Sequence, residues 1–317
     1  MSRRLRLDAE LVRRGLARSR DQAADLIAAG RVAVAGQLAA KPASQVATDA
    51  PITVEQASEG PDYVSRGGHK LAGALAAFAS MGAESVAHHA HSSGTHGLGA
   101  ESVAHQADRS GTHGLGAESV AHQAGGSGTH GLVVAGKRCL DAGASTGGFT
   151  DVLLRAGAAH VVAVDVGYGQ LAWSLQTDER VTVLDRVNVR NLTPEQVAPP
   201  PEVVVADLSF ISLTLVLPAL AACAAGGADF LLMVKPQFEV GKDGVGAGGV
   251  VRDQSARADA VRGVAAAAAG LGLGVNGITA SPLPGPAGNV EYFVWLRRGS
   301  PPLDEGHLRR AIEAGPQ

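Results

Sequence analysis

The sequence predicts an α/β fold, a doubly wound and mostly parallel sheet preceded by a small α+β module. Three observations carry this. Residues 133 to about 298 alternate short apolar runs with helix-like segments, the pattern of a parallel sheet covered on both faces. The first of those runs ends in Asp141 and passes straight into Gly143-Ala-Ser-Thr-Gly-Gly148 before a helix, at the strand end where such sheets bind ligands. Residues 1 to about 60 show a different pattern with its own charge balance.

From Met1 to Lys41, nine Arg or Lys stand against four Asp or Glu, a net of +5 on a 317-residue chain whose total is -3. A basic end on a near-neutral chain is the footprint expected of a nucleic-acid-binding module. Leu5, Leu7, Leu11 and Leu16 predict one apolar helical face. Ser19 opens a second helix, with Gln22 as its capping-box partner, and Gly30 closes it. Arg31-Val-Ala-Val-Ala-Gly36 reads as a short strand entering a turn. Arg4, Arg6, Arg13, Arg14, Arg18, Arg20 and Arg31 gather on this module, where they can track phosphates. The module is placed at 1–60 and an interdomain linker at 61–66.

Residues 82–132 are three 17-residue copies built on GAESVAH…SGTHGL: Gly82–Leu98, Gly99–Leu115 and Gly116–Leu132. They carry few large apolar groups and so bury too little surface to offset the entropy of ordering. A disordered insertion is expected. Eight of the eleven histidines lie here, and no metal site is expected of such a tract.

Strand-like runs follow at Arg138–Asp141, His160–Val166, Val181–Leu184, Glu202–Asp207, Phe230–Lys235 and Tyr292–Leu296. A helix is expected at Phe149–Ala156, closed by Gly157. Residues 301–317 are expected to be a tail. The glycine loop lacks the spacing of dinucleotide enzymes, because Ser145 stands where a second glycine belongs, and it has no phosphate-binding lysine. A close-packed loop of this kind suits a ligand without a pyrophosphate, such as S-adenosylmethionine. Asp165 ends the second strand, where a carboxylate accepts hydrogen bonds from ribose hydroxyls. The expected cofactor contacts are Asp141, Gly143, Ser145, Thr146, Gly147, Gly148, Phe149, Asp165, Val166, Gly167 and Asp207. Asp207 and Lys235 end neighbouring strands, and Glu291 opens the last one. A lysine ending an apolar strand is either paired or functional.

With Lys70, in Ser65-Arg-Gly-Gly-His-Lys70, these residues resemble the Lys-Asp-Lys-Glu tetrad of FtsJ-type ribose 2'-O-methyltransferases. The resemblance is closer to one branch, the TlyA or hemolysin A family of rRNA cytidine 2'-O-methyltransferases. It rests on DAGASTGGFT, DVGYGQLAWSL, ADLSFISL, VKPQFEVGK, GGVVRD and SPLPGPAGNVEYF, and on LDAELVRRGLARSRDQAADLIAAGRVAV in the first module. It implies a Rossmann-like class I methyltransferase domain with a seven-stranded sheet over 67–300, behind an RNA-binding domain of the ribosomal-protein-S4 type. It further implies S-adenosyl-L-methionine as cofactor, ribosomal RNA as substrate, and Lys70, Asp207, Lys235 and Glu291 as the catalytic set. The sequence departs from the family in its linker, Pro61-Asp-Tyr-Val64 in place of an Arg-x-Trp-Val-like element, and in the repeats between Lys70 and the first strand of the sheet. Closing a longer loop costs only about 0.6 kcal/mol per doubling of length, so the helix carrying Lys70 is still expected to dock.

Two cysteines in unrelated contexts give no disulfide framework or zinc spacing, consistent with a cytoplasmic protein. The longest apolar run, Pro218 to Val234, is interrupted by Asp229 and is too short to span a bilayer. Pore formation is therefore disfavoured. A pseudouridine synthase needs a catalytic Asp in a different fold without a glycine loop, so the parallel-sheet pattern argues against it; a non-catalytic RNA-binding or ribosome-assembly factor predicts no S-adenosylmethionine binding, which calorimetry decides.

Overall fold

A computed structural model describes residues 4–17, 19–28, 30–39, 41–54, 61–92, 131–241 and 244–316. The N-terminal module contains β1 (Arg4–Arg6), α1 (Leu7–Arg13), α2 (Arg20–Ala28), β2 (Val32–Val34), β3 (Gln37–Leu38), β4 (Gln45–Ala47) and β5 (Ile52–Val54). Leu7, Leu11, Ala23, Ile27, Val32 and Val46 form its core. The Ser19 Oγ accepts from the Gln22 amide at 3.1 Å, starting α2, and Gly30 takes the left-handed conformation expected at its end. The four-leucine helical face is corrected. Leu5 lies in β1 opposite Val46, and Leu16 follows α1 partly exposed. Only Leu7 and Leu11 share the helix, because the chain enters it through a strand pair.

α3 (Arg66–Ser92) leads into the second domain. It continues through Gly82–Ser92, so the first part of the expected disordered insertion is helical; Ala-rich sequence propagates a helix already started. Residues 93–130 lie outside the described residues.

The second domain then runs β6 (Arg138–Ala142), α4 (Gly148–Arg155), β7 (His160–Asp165), α5 (Trp173–Gln176), β8 (Val181–Asp185), α6 (Pro194–Val197), β9 (Val203–Ala206), α7 (Leu213–Cys223), β10 (Asp229–Val234), α8 (Pro236–Glu239), α9 (Gln254–Ala269), β11 (Leu273–Ala280), β12 (Tyr292–Arg298) and α10 (Glu305–Glu313). Seven strands form one sheet in the order β11-β12-β10-β9-β6-β7-β8. β10, β9, β6, β7 and β8 are mutually parallel, and β12 runs antiparallel to both β10 and β11. Val, Leu and Ala dominate the two apolar layers that cover the sheet. Residues 301–317 are not simply a tail: α10 buries Leu308, Ala311 and Ile312 in the core. The amphipathic spacing of those three residues is the reason it docks.

Winding reverses between β6 and β9, which pair with Ala142 opposite Ala206. The next residues, Gly143 and Asp207, therefore emerge side by side at a topological switch point, where open α/β sheets hold their ligands.

Candidate active site

Two connected cavities open at that switch point. The larger, about 520 Å³, is lined by Gly143, Ser145, Asp165, Val166, Val187, Asn188, Val189, Asp207 and Phe210 among others. The smaller, about 190 Å³, is lined by Ser65, Gly67, Gly148, Phe149, Lys235 and others. Gly143, Ser145, Asp207 and Ser209 line both, so the two form one cleft.

The glycines are there for close approach. A Cβ on Gly143 would lie 2.6 Å from the Asp207 carbonyl oxygen. A Cβ on Gly148 would lie 2.3 Å from the Ser65 Oγ and 2.8 Å from the Gly68 amide nitrogen. The Ser65–Gly68 segment thus presses directly onto the start of α4. The linker is fastened there too: the Val64 amide donates to Asp151 Oδ2 at 2.9 Å, and Arg155 donates to the Asp62 carbonyl at 2.8 Å while its guanidinium lies 5.1 Å from the centre of the Tyr63 ring.

Asp165 sits at the end of β7 and accepts from the Ser145 amide at 2.8 Å and the Gly167 amide at 2.6 Å. These bonds fix its carboxylate at the edge of the larger cavity. The loop after β8, Val187–Val189, forms another wall. That loop, with Gln170, Leu208, Ser209 and Phe210, was not anticipated; its one sequence signal is position, immediately past the end of an apolar strand.

Of the expected cofactor contacts, Gly143, Ser145, Thr146, Gly148, Phe149, Asp165, Val166 and Asp207 line the cleft. Gly147 and Gly167 shape its loops without lining it. Asp141 lies fully buried and accepts from the Thr150 hydroxyl at 2.7 Å. Burial, and next among the raising influences the Asp207 charge, pushes its carboxyl up to about 7. A carboxyl raised in the folded state contributes stability below its unfolded value near 4 and loses it as pH rises to about 7. Asp141→Asn is therefore expected to gain on the native protein in thermal midpoint between pH 4 and 8. A difference that stays constant across that range refutes the buried-charge cost.

The four tetrad residues come together as two ion pairs. Lys235 Nζ lies 2.6 Å from Asp207 Oδ1 and donates to Ser209 Oγ at 3.0 Å. Lys70 Nζ lies 2.6 Å from Glu291 Oε2. The first pair lines the cleft; the second is more deeply buried and lines neither cavity. Glu291 Oε1 is buried without a hydrogen-bond partner among the described residues.

On the N-terminal module, Arg6 and Arg20 pair with the buried Asp8 at 2.8 and 3.0 Å, and Arg13 and Arg14 with the buried Glu10 at 2.6 and 2.7 Å. Arg13 first, opposed by burial, and then Arg14 hold Glu10 down to about 2. Arg14 also donates to the Thr48 and Ala50 carbonyls, so its main role is to brace the module. Arg6, Arg13 and Arg20 keep roughly half of their side-chain surface exposed. Arg4 is exposed on β1, and Arg31 lines a cleft between the module and the start of α3. Arg18 lies outside the described residues.

The strand order, the single reversed strand and the glycine cleft at the switch point define a class I methyltransferase domain, here joined to a small α+β module. The family models agree: residues 126–298 match the FtsJ-like methyltransferase and residues 5–52 the S4 domain. The chain is 51% identical, over 100% of both chains, to the 16S/23S rRNA (cytidine-2'-O)-methyltransferase TlyA of Mycobacterium tuberculosis. It is 38% identical to the Hemolysin A of Brachyspira hyodysenteriae over 50% of this chain and 67% of that one. A solved structure from Streptococcus thermophilus, described as a candidate hemolysin, superimposes with a TM-score of 0.66 at 31% identity, covering 99% of this chain and 96% of that one. The chain belongs to the TlyA family of rRNA methyltransferases. Among the described residues no helix is long and apolar enough to cross a membrane, and no metal-binding group of side chains occurs.

Proposed function

We propose that the chain transfers a methyl group from S-adenosylmethionine to the ribose 2'-hydroxyl of cytidines in ribosomal RNA, of the small and large subunits. The observation that carries this reading is the Lys235–Asp207 pair at the junction of the two cavities. The larger cavity suits the cofactor: two carboxylates and no Lys or Arg line it, which fits a cationic nucleoside and disfavours a phosphate ligand. Asp165 would hold the ribose, the Val187–Val189 wall the base, and Gly143 with Asp207 the methionine-bearing end. When bound, the cofactor supplies an electrophilic methyl group on a sulfonium.

The remaining work falls to the protein. A ribose hydroxyl is a poor nucleophile until its proton is drawn away. Lys235 lowers that cost, either as a base or as an ammonium beside the developing oxygen charge. The Nζ stands in an ion pair with Asp207 at 2.6 Å, which places it beside the cleft in either role. Asp207 and Ser209 together fix the direction of the Nζ. Glu291 precedes Tyr292, the β12 partner of Val234, so the backbone positions of Glu291 and Lys235 are neighbours at the end of β10, and Lys70 is paired to Glu291. The exposed guanidinium groups of Arg6, Arg13 and Arg20, with Arg4 and Arg31, supply phosphate contacts that hold the RNA in place.

The test is methyl transfer from S-adenosylmethionine to purified ribosomal subunits, followed by mapping of 2'-O-methyl positions. Cytidine ribose methylation in either subunit is the expected result. Methylation confined to base atoms, or none with a folded, cofactor-binding protein, overturns the reading.

A further inference from the structure

Two loops meet at the cleft, one following β9 and one following β10, and they are cross-linked at three points. Lys235 binds Asp207 and Ser209 at the near end. Phe238 packs against Phe210 in the middle, ring centres 5.3 Å apart. Glu239 closes the far end: its Oε2 accepts from the Ser212 Oγ at 2.5 Å and its Oε1 from the Leu213 amide at 2.8 Å. Glu239 lies on α8, directly after the lysine, and Ser212 is the N-cap of α7.

Between these anchors the loop is held in an unfavourable form. Phe210 adopts φ of +65°, a left-handed conformation costly for a bulky residue, and it is 91% exposed. Such a conformation persists only where its surroundings over-determine it. At 91% exposure Phe210 has, among the described residues, only the contact with the Phe238 ring to hold it, so the anchors on either side must fix the rest of the loop. Burial raises the Glu239 carboxyl, against the hydrogen bonds from Ser212 and Leu213, yet the group it caps is the start of α7, where a carboxylate is favoured.

We propose that Glu239 is a positioning residue for methyl transfer. It fixes the far end of the Asp207–Ser212 loop, and through that loop it sets Asp207 and Ser209 against Lys235. It touches neither cavity occupant, since it lines neither part of the cleft. The inference rests on the reaction proposed above.

The test uses the full chain with ribosomal subunits as acceptor. Glu239→Ala is expected to lower kcat at least about tenfold, the scale of loss that a small misplacement of reacting groups produces. The dissociation constant for S-adenosylmethionine should change less than the rate does. Glu239→Gln keeps an oxygen for the Leu213 amide and an amide to donate to the Ser212 Oγ, and should restore kcat to within about twofold. Ser212→Ala, which removes one of the two bonds, should fall between them. Rates are normalised to the folded fraction at the assay temperature, read from each variant's thermal unfolding curve. Glu239→Ala with kcat within twofold of the native protein overturns the proposal. So does a lower thermal midpoint with full kcat per folded molecule, which marks a purely structural cap. A native protein that methylates no ribosomal RNA overturns the proposed function instead.

Discussion

Lys235→Ala is expected to lower methyl transfer by roughly 10³-fold, within the range that positioned acid–base groups contribute, while leaving S-adenosylmethionine binding measurable. The separation follows from placement. Lys235 lines the smaller cavity and is absent from the lining of the larger one, where Asp165 and the Val187–Val189 wall stand. Removing its side chain takes a donor from Ser209 and a cation from Asp207, but leaves the glycine loop and Asp165 in place. Lys235→Arg is expected to fail as well, because a planar guanidinium cannot occupy the site of a compact ammonium set between one carboxylate and one hydroxyl. Single-turnover transfer to ribosomal subunits, alongside calorimetry with the cofactor, reads both quantities. Retained transfer by Lys235→Ala would falsify the assignment; loss of cofactor binding in step with the rate would move Lys235 into the cofactor site.

The parallel half of the sheet was legible in the sequence because its strands are continuous apolar runs ending in polar residues. β6, β7, β9 and β10 fall within a residue or two of their expected ranges. β11 gave no such signal. Its sequence, LGVNGITA, is broken by glycines that are needed for contacts made from elsewhere in the chain. A Cβ on Gly277 would meet the Phe78 ring of α3 at 3.0 Å, and one on Gly274 would meet the Ser300 carbonyl at 1.9 Å. Tertiary packing chose those residues, so local pattern could not show a strand. α10 was missed for a related reason: three small apolar positions in a charged segment carry little weight until α9 and β11 are seen to receive them.

The site divided along the same line. Residues at strand ends, Asp165, Asp207 and Lys235, could be placed from the order of the strands alone. Their partners could not be placed that way. Ser209 and Glu239 depend on how two loops cross, and the Lys70–Glu291 contact joins positions 221 residues apart. On the N-terminal module, charge counting anticipated a basic face but not that Asp8 and Glu10 lie buried beneath it. The arginines there both fold the module and present its cationic surface.

The second large effect is expected at Lys70–Glu291, and it separates folding from chemistry. Their side chains are only 7% and 1% exposed and meet at 2.6 Å. Removing one partner of so buried a pair leaves an uncompensated charge, at a cost of about 3–5 kcal/mol. Lys70→Ala should therefore lower the thermal midpoint on the order of 10 °C, in addition to any loss of activity, and so cannot by itself assign a catalytic role. The double variant Lys70→Met, Glu291→Leu removes both charges and keeps most of the volume. Replacing a buried ion pair with apolar groups is often neutral or stabilising, so this variant should recover most of the lost midpoint. If the pair serves only to hold α3 against β12, transfer recovers with stability. If its charges set the field and the geometry behind Lys235, the double variant is as stable as the native protein and transfers methyl groups at least about a hundredfold more slowly. The second outcome is expected. A buried ion pair is a poor device for stability alone, and Glu291 and Lys235, the only other buried lysine among the described residues, follow from the Val234–Tyr292 register as neighbouring positions of β10 and β12.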